Sequence, residues 1–202
     1  MLKWSIRTQV YVKIMISFLL LLGMITFVIT TMVWIFQSQK IKVMEEKTEA
    51  LILVNDQHPL PENYYTKRVR YKGITIAEVI KSPLERMMKE ACADGICLFF
   101  VSEQMNFQET NQMVQQEHQS GLALDFYRSN DDRYNNKMWA WLKQNAAQYG
   151  FIERYQEGKE HKTNQITLPW HYRYVGIEHA KKMHQEKLCL EEYLEQEKKE
   201  GV

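Results

Sequence analysis

Between Ile14 and Phe36 the sequence reads IMISFLLLLGMITFVITTMVWIF, 23 residues without a charge. At 1.5 Å per residue such a stretch crosses a hydrocarbon core of about 30 Å. Lys3, Arg7 and Lys13 precede it, and Lys40 and Lys42 follow it, with Glu45, Glu46 and Glu49 close behind. The count of lysines and arginines leans modestly toward an N-terminus on the inside. A cleaved signal carries an apolar core of about 7–15 residues that ends at small side chains. This run is longer and ends in Trp34, Ile35 and Phe36. The expectation is therefore a cytoplasmic N-terminus (1–13), an uncleaved single-pass anchor in the cell membrane (14–36), a polar stalk (37–50) and an extracytoplasmic domain (51–202).

The chain beyond the anchor suits one globular domain, since the whole has 202 residues, 25% of them charged. A formal net charge of +1 gives no argument for nucleic acid as a partner. The cysteines are Cys92, Cys97 and Cys189. An odd count does not make a disulfide framework, and no C-x-x-C pair offers a thiolate zinc site. A Cys92–Cys97 bridge is left for geometry to decide.

Along the domain, LILVNDQHPLPENY (51–64) reads as extended or looped because of its prolines. SPLERMMKEACADG (82–95) reads as a helix with Ser82 as cap, Pro83 in the first turn and Gly95 as terminator. ICLFFVS (96–102) reads as a buried strand and 103–117 as a polar helix. GLALDFY (121–127), FIERY (151–155) and WHYRYVG (170–176) read as strands. Helices are expected over 137–150, from Ile177 and over the charged tail. Short strands mixed with helices, without a regular βαβ repeat, predict an α+β domain with a central antiparallel sheet and flanking helices.

The residues able to carry chemistry sit near strand ends. His118 precedes a glycine, Asp125 lies on the following strand and His171 begins a later one. Two imidazoles and a carboxylate can make three legs of a tetrahedral zinc site with the fourth position open. Spacing alone also allows a loop-bonding His118, a turn-capping Asp125 and a packed His171. Trp139, Trp141 and Tyr149 read as core at helical spacing. His58, His179 and His184 match no ligand spacing and read as surface. Arg173, on the strand face of His171, either supports the metal ligands from behind or pairs with an acid.

Five segments, in order, resemble the VanY-type zinc D,D-carboxypeptidases, which remove the terminal D-alanine of peptidoglycan stem peptides. LILVNDQHPLPENY resembles that family's opening segment, and EHQSGLALD its zinc motif. GFIERYQEGKEHKT, LPWHYRYVG and LCLEEYL resemble its later blocks. The resemblance implies one zinc ion on His118, Asp125 and His171 and a stem peptide ending in D-Ala-D-Ala as ligand; it also sets Trp170 at a family position near the metal, either as a wall of the ligand site or as a core aromatic.

The departures from the family pattern fall at the chemistry. The glutamate three residues before the last histidine, the family's base, is Leu168. In SEQMN (102–106) the family's arginine and tyrosine are replaced by Met105 and Gln104, and Gln116 replaces the serine that opens the zinc motif. No residue is therefore assigned as catalytic. Gln104, Trp170 and Arg173 remain substrate-contacting or supporting candidates. Losing a general base typically costs ~10²–10⁴ in rate. Glu117 adjoins His118, and Glu160 and His161 lie in the loop before the last strand; either carboxylate is a candidate substitute if it reaches the zinc-bound water. Three readings stay open: a weak or altered carboxypeptidase; a non-catalytic relative that keeps the fold, with or without the zinc, and binds stem peptides or a partner protein or serves only as a structural or interaction protein; or a degenerate remnant under no functional demand.

Overall fold

The computed structural model describes residues 6–101, 112–126 and 129–201. Contacts divide the chain into two units, Met1–Glu46 and Lys47–Val202.

The first unit is the greater part of helix α1 (Ile6–Ala50). Its segment Val10–Gln39, mean hydropathy 2.5, is long and apolar enough to cross a membrane by length and composition. The hydroxyls of Thr26, Thr30 and Thr31 fold back onto the carbonyls of Gly23, Phe27 and Val28. Polar groups satisfied within the helix suit an apolar surround. The helix continues without a break through 37–50, the segment expected as a stalk.

In the second unit, β1 (Arg68–Tyr71) and β2 (Ile74–Ala77) form an antiparallel hairpin, an element the sequence reading left out. It feeds directly into α2 (Glu78–Ala93). This helix starts one turn before the expected Ser82 cap, so Pro83 lies inside it and the Ser82 hydroxyl accepts from Arg86 instead of capping. The early start is fixed from outside: Glu78 N–H donates to the Lys67 carbonyl and Ala77 N–H to that of Gly121. Ile80, Leu84, Met87 and Ala91 make one buried face. Burying a side chain of leucine size contributes roughly 1.5–3 kcal/mol. Gly95, at φ +80°, ends the turn after this helix.

Residues 96–101 form no regular strand. They run extended, with Ile96 and Leu98 buried and Phe99 61% exposed, and Phe100 makes a single antiparallel bridge to Phe126. Helix α3 (Gln112–Gln119) carries His118 at its end. Strand β3 (Ala123–Asp125) comes next. Helix α4 (Asp132–Asn145) begins five residues earlier than expected, because the Asp131 carboxylate accepts from the backbone N–H groups of Arg133 and Tyr134. A 3₁₀ turn (Ala146–Tyr149) and Gly150 lead into β4 (Phe151–Glu153). The short α5 (Glu160–Thr163) lies in the loop before β5 (His171–Tyr174). Helices α6 (Ile177–Glu186) and α7 (Leu190–Glu200) close the chain.

The sheet order is β3-β5-β4, antiparallel throughout. Alternation along β5 divides its side chains between two faces. Tyr172 and Tyr174 join the main core with Leu124, Phe126, Phe151 and the buried faces of α2 and α4. His171 and Arg173 take the opposite face with Asp125, which pairs with His171 in register. Gly150 is required where it stands: φ is +89°, and an added Cβ would lie 2.6 Å from the Tyr174 ring.

Candidate metal centre

Three elements bring the expected ligands together. Helix α3 ends in a turn in which Gly121 N–H donates to the His118 carbonyl and the Ser120 hydroxyl to that of Glu117. Gly121, at φ +76°, redirects the chain into β3, and Asp125 stands four residues later. Cross-strand register then sets Asp125 opposite His171.

His171 Nδ1 is 2.6 Å from Asp125 Oδ1, and His118 Nε2 is 3.3 Å from Oδ2. The imidazoles meet edge to face at 5.0 Å. One ligand atom from each of the three residues can be chosen so that all lie within 4.8 Å of one another. His171 is fully buried and Asp125 nearly so. Burial opposes the Asp125 charge, but the two histidines hold its carboxyl well below the usual carboxylate range. Burial pushes the His171 imidazole below its ordinary value, against the pull of Asp125. A divalent cation needs an ionised carboxylate and neutral imidazoles as ligands, and both shifts run in that direction. His118 Nε2 and His171 Nε2 are buried without a hydrogen-bond partner among the described residues. A nitrogen and oxygen donor set with orphaned imidazole nitrogens fits zinc.

Leu168 is buried with Val114 and Tyr155, and the half-buried Trp170 packs on that cluster. Tyr155 stacks on the His171 ring at 5.1 Å, and the Leu168 carbonyl accepts from His171 N–H. The position that carries a carboxylate in the family pattern is therefore an apolar neighbour of the site. Trp170 also lies 6.4 Å, ring to ring, from Trp139. Gln104 and Met105 lie outside the described residues.

Arg173 pairs with an acid, Glu117, and the sequence reading missed the network to which both belong. Glu117, Arg154 and Arg173 are fully buried. Arg154 Nε donates to Glu117 Oε1 at 2.8 Å, and Arg173 Nη1 donates to Oε2. Arg154 also grips both oxygens of Glu191 on α7, at 2.9 and 2.7 Å. The remaining guanidinium N–H groups reach the carbonyls of Ala50, Ile52, Val54 and Tyr174. Burial works against the Glu117 charge, yet the two guanidiniums hold its carboxyl at about 2. With both oxygens engaged, Glu117 has no lone capacity to serve as a base. Glu160 is exposed and accepts from the Thr167 hydroxyl at 2.7 Å, one residue from Leu168.

Trp141 is buried, whereas Trp139 and Tyr149 are partly buried against the core. His58 and His184 are exposed, but His179 is half-buried and bonded to the Tyr193 hydroxyl at 2.7 Å. Cys92, Cys97 and Cys189 are free thiols.

Comparison with known proteins places this geometry. The model of the VanY family, D-alanyl-D-alanine carboxypeptidase, matches residues 102–177. A D-alanyl-D-alanine carboxypeptidase of Enterococcus faecalis is 31% identical, over 76% of this chain and 69% of the relative. Another, of Enterococcus faecium, is 32% identical over 63% of this chain and 46% of the relative. Among solved structures, a variant of the D,D-pentapeptidase VanY from a VanB-type vancomycin resistance cassette, in complex with Zn(II), matches at a TM-score of 0.64 and 33% identity, over 72% of this chain and 99% of that one. VanYB in complex with D-alanine-D-alanine matches at 0.62 and 31%, over 72% and 97%. The fold is that of the zinc-site carboxypeptidases, and the chain belongs to the VanY family of D-alanyl-D-alanine carboxypeptidases.

Proposed function

We propose that this protein is a membrane-anchored VanY-family member that holds one zinc ion on His118, Asp125 and His171 and binds peptidoglycan stem peptides ending in D-Ala-D-Ala with little or no hydrolysis. The observation that carries this reading is the pairing of an assembled ligand trio with a buried, apolar Leu168 at its side. Zinc held there would supply Lewis-acid polarisation of a peptide carbonyl. The chain's own residues then do the rest. Asp125 stays ionised and orients His171. Tyr155, Leu168 and Trp170 give an apolar wall that excludes water. No carboxylate at position 168 can hold or move a proton. Val10–Gln39 is the single-pass anchor, a reading its length and hydropathy support; the domain lies on the extracytoplasmic side with the stem peptides, the side toward which the flanking lysines and arginines lean.

A second reading is favoured by one contact. Glu160 accepts from Thr167, beside Leu168, which puts a solvent-facing carboxylate near the missing one. In that case the protein is an active carboxypeptidase with a substitute base.

One set of measurements separates the two. The full chain is purified in detergent without chelator. Zinc per chain is measured for wild type and His171→Ala, and D-alanine release from a D-Ala-D-Ala pentapeptide for wild type, Leu168→Glu and Glu160→Gln. The first reading expects about one zinc, lost with His171, peptide binding, and release only in Leu168→Glu. Release by wild type that Glu160→Gln abolishes would establish the second. A wild type without zinc would sink both.

A further inference from the structure

The trio does not hold itself in place. His118 Nε2 lacks a hydrogen-bond partner among the described residues, and its approach to Asp125 is a loose 3.3 Å. Its own side chain therefore does little to fix the roll of α3 about its axis. The residue before it does. Glu117 is fully buried, and each of its carboxylate oxygens is taken by a different arginine.

Those arginines are themselves fixed. Arg154 comes directly after β4, and its N–H donates to the His171 carbonyl. It also grips Glu191 on α7. Arg173 lies on β5 two residues from His171, and its Nη2 donates to the carbonyls of Ala50 and Ile52. One ligand of the trio is thus referred, through Glu117, to the strand that carries another.

The geometry converts this clamp into a bearing. Consecutive helix residues are separated by about 100°, and side chains reach about 5 Å from the axis. A roll of about 20° would move the imidazole by nearly 2 Å, close to a whole zinc–nitrogen bond of about 2.0–2.1 Å. A metal site tolerates only a small part of that displacement.

We propose that Glu117, clamped between Arg154 and Arg173, is the positioning residue of the metal centre, setting the roll of α3 and so the bearing of His118 on Asp125 and His171. The inference rests on the metal-binding reading above. Residues 50–54, which lend three carbonyls to the two arginines, are part of the same support.

The test uses the full chain in detergent, with cobalt(II) as a spectroscopic substitute for zinc, titrated against a competing chelator. Glu117→Gln is compared with Glu191→Gln, which breaks the same network on the α7 side without touching α3. The expected result is a loss of cobalt affinity of about tenfold or more in Glu117→Gln, with a weakened and shifted visible absorption. Glu191→Gln should lower the melting temperature yet keep wild-type affinity and spectrum. If Glu117→Gln does not fold, Arg173→Lys replaces it, keeping the charge while losing the second donor, with the same spectral change expected. Wild-type affinity and spectrum in the folded Glu117 or Arg173 variant would overturn the proposal. So would an equal loss in Glu191→Gln, which would reduce the network to general support. A wild type that binds no cobalt would instead remove the metal reading, and the wild-type titration alone reveals that.

Discussion

At the scale of single residues, the site turns on one side chain. Leu168 fills a pocket formed with Val114 and Tyr155, so a carboxylate there exchanges packing for chemistry. Leu168→Glu should raise D-alanine release from a pentapeptide by ~10²–10⁴, the usual worth of a general base. It should also lower the melting temperature, since a buried carboxylate must be desolvated. Both are read on one preparation, by product assay and thermal unfolding. Leu168→Gln supplies the polarity without the base, and release by it would show that polarity alone suffices. Gly150 gives a second residue-scale expectation. An alanine there would carry φ near +89° and press on Tyr174. Gly150→Ala should destabilise by about 1–3 kcal/mol, read by denaturant unfolding.

At the scale of elements, capping decides boundaries that periodicity alone misplaces. The start of α4 rests on the Asp131 carboxylate. Asp131→Ala should cost about 1 kcal/mol, measured from the urea midpoint with an unchanged slope. The same contrast explains which elements were legible in the sequence. Strands β3, β4 and β5 were legible as short segments between turn residues, and Gly95 marked the end of the turn after α2, whereas the continuous apolar run ICLFFVS suggested a strand that does not form. The Ser82-Pro83 start of α2 misled, because the Glu78 and Ala77 N–H groups donate to the distant Lys67 and Gly121 carbonyls and so fix the true start. The β1–β2 hairpin was missed because RVRY and ITIA are only four residues each and four basic residues within 67–72 mask the alternation. His118, Asp125 and His171 were legible through resemblance, since their spacing says nothing about register. Glu117, Arg154, Arg173 and Glu191 were not, because ion pairs between residues 37 or 56 positions apart leave no local pattern.

At the scale of the whole molecule, the proposed metal and the proposed anchor each give a measurable consequence. A cation bound by the native state alone stabilises it by about 2.7 kcal/mol at a hundredfold excess over its dissociation constant. Chelator treatment should therefore lower the melting temperature, re-addition of zinc should restore it, and His171→Ala should show neither response. The anchoring reading expects the full chain to stay with membranes through a high-salt wash and to leave them only with detergent. Release by salt alone would argue for peripheral attachment.

The direct pairing of Asp125 with His171 across β3 and β5 has one more consequence. Side chains alternate faces along a strand, so slipping β3 by one residue would send its carboxylate toward Tyr172 and Tyr174. A chain with that error could still close its backbone ladder, but it would own no ligand trio. On the metal-binding reading, an ion that needs all three ligands would then report strand alignment. Metal content per chain would count the molecules folded in the correct frame, and binding to that frame alone would favour it over its nearest competitor.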